Sequence, residues 1–314
     1  LIAAIENDYL IELCDRIHVQ SVRLRVLSGR LIESRIRDTM AEHARIADAC
    51  LSRDWRGAAL AMTRHVLSKK HLRLRGFHCH IGSQIFEKQS FVLAAEKMCA
   101  FMEKVKAETG FEADTLDLGG GFGIWYTDED AKLPVDGYKG YLSALISALK
   151  SECAARGLKK PYLLIEPGRS IVGEAGITLY TVGAIKEIPG IRKYLAVDGG
   201  MFDNPRYCLY QSKYTAVLAN RALEQPTERV AIAGKCCESG DLIGLDFNLP
   251  KAKEGDLIAV LSTGAYNYSM ASNYNRNLIP PAVLVKDGKA RYIVRPQSYE
   301  DLVRNDVVPE DLGK

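Results

Sequence analysis

The amino-acid sequence predicts an α/β fold, arranged as a partial (β/α) barrel, that is followed by an antiparallel β-domain. Strand-like apolar runs alternate with helical periodicities as far as residue 172, which is typical of βαβ units. From residue 173 onward, β-rich runs separated by Gly, Asn, Asp and Pro turns replace that alternation. Charged and glycine residues also follow several predicted strands, and (β/α) barrels carry their sites at those strand ends.

Length and composition exclude several classes of protein. The 314 residues are 47% hydrophobic and 26% charged, as in ordinary globular proteins, and they are enough for two domains. A net charge of +3 without a basic tail argues against a nucleic-acid partner, and no apolar run is long enough to span a membrane. The eight cysteines form no CxxC pair and no disulfide framework, so we expect free thiols and a cytoplasmic protein.

The first part of the chain contains the alternating elements. Two consecutive helices, at residues 34–49 and 55–67, interrupt the alternation because no strand separates them. The other periodic segments predict strands at residues 22–26, 72–80, 115–118 and 162–166, and helices at residues 7–17, 91–108 and 138–156.

The second part of the chain is predicted to be almost entirely β. We therefore expect residues 1–172 to form the α/β domain and residues 173–314 to form the β-domain, with the boundary near Gly173. The predicted β segments are residues 177–188, 193–197, 229–232, 256–262 and 282–294.

The sequence YLLIEPGRS is the strongest candidate for a site. An apolar strand ends at Glu166, Pro167 and Gly168 then form a turn, and Arg169 follows immediately. A strand that carries an acid and an arginine to its carboxyl end fits the site face of a barrel. Taken alone, the segment is more simply explained as an ion pair in a loop.

A second segment, GFHCHIGSQ, ends another predicted strand. His78 and His80 lie on the same face of that strand because side chains alternate. No third group of ligands accompanies them, so we expect no metal site. The same residues are better explained by a histidine ring that stacks on a flat cofactor and a Ser83 hydroxyl that donates a hydrogen bond to an anion.

The segment LDLGGGFGI places three glycines directly after a strand, including Gly120 and Gly121. Glycines allow backbone N–H groups to approach a phosphate closely. The pattern is not the dinucleotide-binding fingerprint, which requires GxGxxG at the start of a helix. As a single observation it is weak, since glycine-rich turns are common.

Three segments of the second part supply further polar groups. VDGGMFDNPRYCLY places Arg206 and Tyr210 four residues apart, GKCCESGD places the thiol of Cys237 beside Glu238, and GAYNYSMASNYN is rich in Tyr and Asn. Each could be only a hydrogen-bonded loop, and a cysteine is commonly structural. Together with the earlier segments, they indicate a phosphorylated aromatic cofactor and a substrate with carboxylates.

These motifs carry a resemblance to a known family. HCHIGSQ, LDLGGGFGI, EPGRS, DNPRYCLY, CESGD and SMASNYN occur in this order in the alanine-racemase-fold (group IV) pyridoxal-phosphate decarboxylases, and the sequence resembles their diaminopimelate decarboxylase family. The resemblance is strong over residues 71–311 and weak over residues 1–26. It implies pyridoxal 5'-phosphate as cofactor, decarboxylation of meso-diaminopimelate to L-lysine in lysine biosynthesis, and a homodimer in which the CESGD loop completes the neighbouring subunit's site.

The resemblance also implies a role for each candidate residue. His80 would stack on the pyridine ring, Glu166 would face the ring nitrogen, and a carboxylate there keeps that nitrogen protonated. Glu238 would bind the distal ammonium group, and Cys237 would return a proton to the reacting carbon as the catalytic acid. The residues that would hold the phosphate are Ser83, Gly120, Gly121, Tyr266 and the four residues of the EPGR turn, Glu166, Pro167, Gly168 and Arg169. The residues that would bind the unreactive end of the substrate are Arg169, Arg206, Tyr210 and Tyr266.

Two features depart from that family. Its Schiff-base lysine belongs to an early strand that would precede Leu1, so we expect an N-terminally truncated chain that does not itself supply this lysine. Residues 27–70 resemble instead a helical segment of FCD-type transcription regulators, in which histidines on consecutive helices ligate a metal. His43 and His65 match that spacing, but the other ligands are absent, and two amphipathic helices with surface histidines explain the segment more simply.

Two alternatives to the implied activity are open. The first is decarboxylation of ornithine, arginine or carboxynorspermidine on the same fold, which Glu238 together with Arg206 disfavours because they suit a substrate charged at its far end. The second is a non-catalytic paralogue that only binds a ligand. The missing lysine favours that alternative, whereas the presence of Cys237, Glu166 and Arg169 disfavours it.

Overall fold

The computed structural model describes residues 33–133 and 136–311. The helix predicted at residues 7–17 and the strand predicted at residues 22–26 lie outside the described residues. None of the described helices is both long enough and apolar enough to cross a membrane.

The contacts of the chain divide it into two compact units, each assembled from separate segments. The predicted domain boundary near Gly173 stays a prediction, because the units are defined by contacts rather than by position along the chain. Among the described residues, unit 1 contains residues 33–81, 87–119 and 139–165, and unit 2 contains residues 82–86, 120–133, 136–138 and 166–311.

Unit 1 begins with a pair of helices, α1 (Glu33–Leu51) and α2 (Trp55–Leu67). Helix α2 begins at a capped turn, in which Asp54 Oδ1 accepts a hydrogen bond of 2.9 Å from the backbone N–H of Gly57. Such a cap satisfies a donor that the first helical turn leaves without a partner. Both consecutive helices that the sequence predicts are therefore confirmed.

The sheet of unit 1 contains three short parallel strands, and helices connect them in sequence. The strand order is β1–β2–β3, and Phe77, Leu116 and Leu163 lie in register across it. The alternation that the sequence predicts is confirmed, although the strands are shorter than predicted because the residues after them form loops. The elements are β1 (Gly76–His78), α3 (Lys88–Thr109), β2 (Thr115–Asp117), α4 (Gly137–Ala155) and β3 (Tyr162–Leu164).

Unit 2 is organised around a six-stranded sheet with the order β6–β9–β4–β5–β7–β8. Neighbouring strands are antiparallel except for β5 and β7, which run parallel. The core side chains Leu195, Leu218, Ile232 and Ile258 are completely buried. The strands are β4 (Thr178–Ile188), β5 (Arg192–Val197), β6 (Ala216–Leu218), β7 (Glu228–Ala233), β8 (Leu242–Leu249) and β9 (Leu257–Val260).

The run predicted at residues 282–294 is two strands, β10 (Ala282–Lys286) and β11 (Lys289–Val294). They form a separate hairpin, since Asp287 and Gly288 both adopt positive φ (53° and 70°) between them. An Asp-Gly pair is the preferred sequence for such a two-residue turn. The short helices of unit 2 are α5 (Gly168–Val172), α6 (Arg206–Tyr210), α7 (Asn267–Met270) and α8 (Tyr299–Val303).

Candidate active site

The EPGRS segment follows β3 and turns directly into α5, which places Arg169 in the first turn of that helix. The guanidinium of Arg169 donates two hydrogen bonds of 2.8 Å, from Nη2 to Ser83 Oγ and from Nη1 to Tyr126 Oη. Both acceptors are neutral, and no ion pair involves Arg169 within the described part of the chain. Its positive charge is therefore held in place but not compensated.

Gly120 and Gly121 allow three segments of main chain to approach one another. A Cβ on Gly120 would lie 2.2 Å from the carbonyl oxygen of Glu166, and a Cβ on Gly121 would lie 2.1 Å from that of Gly82. Gly121 also has a φ of 96°, which L side chains rarely adopt. The glycine-rich loop, the loop that carries Ser83 and the EPGR turn consequently meet within unit 2.

Tyr266 connects the two predicted substrate arginines. The Cζ atom of Arg169 lies 4.9 Å from the centre of the Tyr266 ring, and that of Arg206 lies 4.7 Å from it. An aromatic ring attracts a cation over its face. Two guanidiniums beside one ring nevertheless repel each other, and they form an arrangement suited to an anion.

Arg206 is buried, with 8% of its surface exposed. Its Nε has no hydrogen-bond partner, and its Nη2 makes only a long bond of 3.4 Å to Ser212 Oγ. The Nδ2 atom of Asn267, another buried donor of unit 2, likewise has no acceptor. A buried charge without a partner costs several kcal/mol, about 3–5 in cases where one partner of a pair was removed. These donors therefore indicate a ligand with carboxylate or phosphate oxygens.

The backbone at Tyr266 is strained. Tyr266 has φ 72° and ψ −47°, and the N–H of Asn267 donates to the carbonyl of Ala265 over 3.0 Å. This is the γ-turn with positive φ, which is rare and unfavourable for a residue with a side chain. Strain of this kind is concentrated at functional sites, and here it occurs at the ring that contacts both arginines.

Cys237 and Glu238 lie in the loop between β7 and β8, and both are exposed. The N–H of Cys237 donates to Asn275 Oδ1 over 2.8 Å, and the N–H of Glu238 donates to the carbonyl of Cys236. Within the described residues, no hydrogen bond or ion pair joins Cys237 or Glu238 to Arg169 or Arg206. The predicted site residues therefore form two separate groups.

Three further predicted residues are His80, Glu166 and Tyr210. His80 belongs to unit 1, where a Cβ on Gly119 would lie 2.8 Å from its Nδ1, and its stacking on a cofactor ring stays a prediction. Glu166 is exposed at the carboxyl end of the β3 segment. Tyr210 is 61% exposed, and its ring centre lies 5.6 Å from Arg206 Cζ.

A family model and curated relatives identify the chain. The model for the pyridoxal binding domain of pyridoxal-dependent decarboxylases matches residues 41–173. Diaminopimelate decarboxylase of Bacillus subtilis (strain 168) is 52% identical over 242 residues, which are 77% of this chain and 54% of that protein. The diaminopimelate decarboxylase of Halalkalibacterium halodurans is 44% identical over 306 residues, which are 96% of this chain and 68% of the relative. The chain belongs to the diaminopimelate decarboxylase family.

A solved structure of the diaminopimelate decarboxylase family supports the same assignment. The enzyme of M. jannaschii in complex with L-lysine has a TM-score of 0.73 and 34% identity, over 82% of this chain and 57% of that one. The predicted resemblance and the predicted fold class are thereby confirmed. This chain spans about half to two thirds of the length of these members of the family.

The second predicted resemblance is also confirmed, since an FCD domain model matches residues 1–68. His43 and His65 lie together on the α1–α2 pair, with ring centres 5.0 Å apart. Both are half-buried rather than on the surface as predicted, because the helices pack against each other. Glu42 contacts both His65 Nδ1, over 2.6 Å, and Lys69 Nζ, over 2.8 Å.

Sequence reasoning did not single out four residues of this region. Tyr126 accepts a hydrogen bond from Arg169, Asn267 follows Tyr266 and has a buried donor, and Asp203 and Asp241 are buried carboxylates within the predicted motifs. Asp241 ends the CESGD motif and Asp203 begins the DNPR segment, so a search for acids within the motifs would have found both. Nothing in the sequence around Tyr126 distinguishes it from other tyrosines.

Proposed function

We propose that this chain carries the cofactor-binding and substrate-binding part of a pyridoxal-phosphate-dependent carboxy-lyase that converts meso-diaminopimelate to L-lysine. The observation that carries the proposal is the pair of guanidiniums, Arg169 and Arg206, beside the single ring of Tyr266. Neither has an ion-pair partner among the described residues. The phosphate of the cofactor would compensate Arg169, and the carboxylate of meso-diaminopimelate that does not react would compensate Arg206.

The donors around Arg169 fit a phosphate group. Ser83 Oγ lies 2.8 Å from the guanidinium, and the glycine-rich loop brings main chain without side chains to the same place. We assign the phosphate of the cofactor to this group of residues and assign the ring nitrogen to Glu166. Pyridoxal phosphate, when bound, supplies the electron-withdrawing ring that accepts charge as carbon dioxide leaves.

Arg206, with Tyr210 and Tyr266, would bind the carboxylate that does not react. A guanidinium donates two parallel hydrogen bonds to a carboxylate, which orients the substrate as well as holding it. The burial of Arg206 strengthens this contact, because little water competes for the charge. Glu238 would bind the distal ammonium group and so select a substrate charged at its far end.

The exposed thiol of Cys237 would donate its proton to the reacting carbon after carbon dioxide has left. Cys237 and Glu238 make no described hydrogen bond or ion pair with the two arginines, which supports their acting in the site of a neighbouring subunit. We therefore propose a homodimer in which each thiol loop completes the other site. Each of the seven cysteines in the described residues is a free thiol, which fits a reducing cytoplasm.

The decisive experiment measures carbon dioxide release by the purified chain with saturating pyridoxal phosphate. We expect release from meso-diaminopimelate to exceed that from ornithine or arginine by at least about tenfold, since only the first offers a second carboxylate to Arg206. Borohydride reduction and peptide mapping would identify the lysine that binds the cofactor. Preference for ornithine or arginine would reassign the substrate. Cofactor binding without release from any of the three would make the chain a binding protein.

A further inference from the structure

Asp241 is a buried carboxylate at the end of the thiol loop, with 4% of its surface exposed. Its Oδ2 accepts a hydrogen bond of 2.6 Å from the backbone N–H of Cys236, and its Oδ1 accepts one of 2.6 Å from that of Met201. Hydrogen bonds to an ionised carboxylate are about twice as strong as those between neutral groups. One side chain thus joins the loop between β7 and β8 to the turn that follows β5.

The surrounding backbone leaves room for this carboxylate and for little else. A Cβ on Gly234 would lie 2.3 Å from Oδ2 of Asp241, and a Cβ on Gly200 would lie 2.6 Å from the same atom. The N–H of Lys235 also donates to the carbonyl of Gly199 over 3.1 Å. Glycines at these two positions therefore allow the loop and the turn to close around Asp241.

A second buried carboxylate, Asp203, supports the same turn from the other end. Its Oδ1 accepts a hydrogen bond of 2.7 Å from the N–H of Gly200, and its Oδ2 accepts one from the hydroxyl of Tyr180. Burial raises the pKa of Asp203 to about 6, although both hydrogen bonds oppose that rise. Asp203 stands three residues before Arg206, so the turn leads directly into the helix of the substrate arginine.

We propose that Asp241 is a positioning residue, which fixes the loop of Cys237 and Glu238 to the turn that leads to Arg206. Asp241 does not touch the substrate itself. It fixes the backbone immediately before the thiol, while Asn275 holds the next N–H, that of Cys237. The importance of this link for catalysis rests on the function proposed above for Cys237, Glu238 and Arg206. The link itself rests only on the hydrogen bonds of Asp241 and is independent of that function.

The neighbouring thiol of Cys236 reports on this link. Burial raises its pKa to about 11, and the charges of Asp241 and Asp203 and the hydrogen bond with Asp241 act in the same direction. A backbone hydrogen bond from Phe202 acts on this pKa in the opposite direction, and Asn277 Nδ2 lies 3.6 Å from the sulfur. At neutral pH Cys236 is therefore protonated and reacts slowly with alkylating reagents, because the thiolate is the reactive form.

The test is iodoacetamide labelling of the native chain, with and without Asp241→Asn, followed by mass spectrometry of each cysteine peptide. The amide of the variant places an NH₂ group against the backbone N–H of either Cys236 or Met201, so one of these two hydrogen bonds is lost. The negative charge of the carboxylate is also removed. A fall of one unit in the pKa of Cys236 raises its labelling rate about tenfold at neutral pH, and we expect at least that change. Cys99 and Cys153, completely buried in unit 1, should stay protected.

Two further variants make the result decisive. Asp287→Asn, in the exposed hairpin turn, is the matched control and should leave every labelling rate unchanged. Gly234→Ala keeps the charge but displaces the carboxylate. We expect it to raise both the labelling of Cys236 and the hydrogen exchange of the Cys236 amide, with Cys99 and Cys153 still protected.

Two results would overturn the proposal. In the first, the labelling and exchange of Cys236 stay within about twofold of the unchanged chain in both variants, which would mean that Asp241 does not hold the loop. In the second, Cys99 and Cys153 become reactive in both, which would make Asp241 a general stabilising residue. Because labelling needs neither cofactor nor substrate, failure of the carbon dioxide assay would not affect the outcome.

Discussion

At the scale of single residues, Arg206 shows the conflict between stability and binding. Its charge is buried and has no ionic partner among the described residues. Replacing a buried ionic group by an apolar one of similar size is commonly neutral or stabilising by about 1–4 kcal/mol. The free chain therefore holds an arginine that an unliganded protein would be better without, which is expected if a ligand supplies the missing anion.

This conflict predicts the behaviour of Arg206→Met. The free energy of unfolding without ligands should rise by about 1 kcal/mol, because the buried charge is gone, whereas binding of meso-diaminopimelate should weaken by at least about a hundredfold. Denaturant titration and calorimetry with the substrate measure the two effects.

The matched control is Arg221→Met, also in unit 2. Arg221 is paired with the nearly buried Asp256 over 2.5 Å, so its loss leaves a carboxylate without its cation. That variant should be destabilised by about 1–3 kcal/mol, although Arg221 has no described hydrogen bond or ion pair with a residue of the proposed site. Equal destabilisation of the two variants would show that Arg206 is not an uncompensated charge.

At the scale of elements, the glycine-rich loop after β2 is constrained in two ways at once. Gly121 combines a φ of 96° with a carbonyl oxygen 2.1 Å from its absent Cβ. Gly110, which ends α3, has a φ of 72° but nothing within 4 Å of that position. The two residues thus separate the effect of the dihedral angle from the effect of crowding.

This difference predicts opposite outcomes for two alanine variants. Gly110→Ala should cost about 1 kcal/mol of stability and leave cofactor affinity unchanged, since only the left-handed backbone is penalised. Gly121→Ala should cost at least about 2 kcal/mol and weaken pyridoxal-phosphate binding about tenfold or more, because the loop must move away from Gly82 and hence from Ser83. Thermal unfolding and absorbance titration test both, and normal cofactor affinity in Gly121→Ala would remove this loop from the phosphate site.

The predictability of the elements differs for physical reasons. Helices α1 to α4 have apolar residues at helical spacing, and the sequence predicts all four closely. The sequence does not predict strand β8. No proline marks where the CESGD loop ends and its eight residues begin, and Gly244 interrupts the alternation of apolar and polar side chains. The three residues of β6 are too few to show a period. Hydrophobic patterning therefore identifies the helices and the inner strands of unit 2 but not its two edge strands, β6 and β8.

The site was predictable as an inventory of residues but not as an arrangement. Arg169, Arg206 and Tyr266 are each recognisable from their motifs, yet no motif indicates that one tyrosine ring lies beside both arginines. That geometry depends on the strained turn at Tyr266, and a tyrosine at this position does not predict a turn with positive φ. The role of Asp241 is similar, since it depends on the backbone N–H groups of Cys236 and Met201, and no motif indicates that these two groups converge on one carboxylate.

At the scale of the whole molecule, the segment that matches two families is part of unit 1. Residues 41–68 are common to the FCD match and to the pyridoxal-binding match, and they include all of α2. Leu60 of α2 is buried against Phe101 and Val105 of α3, and Arg64 pairs with Glu108 over 2.6 Å. Helix α2 is therefore packed as an integral element of the unit.

This packing predicts that a defect in α2 destabilises unit 1 specifically. Leu60→Ala should cost about 2–4 kcal/mol, whereas Met62→Ala, at a side chain that is 47% exposed, should cost less than about 0.5 kcal/mol. Pulsed thiol labelling in increasing urea measures each unit separately, because Cys99 and Cys153 are buried in unit 1 and Cys236 belongs to unit 2. We expect Leu60→Ala to lower the urea midpoint of Cys99 and Cys153 and to leave that of Cys236 unchanged. A parallel shift of all three midpoints would mean that the two units unfold as one, and no shift of any would mean that α2 contributes nothing to the core of unit 1.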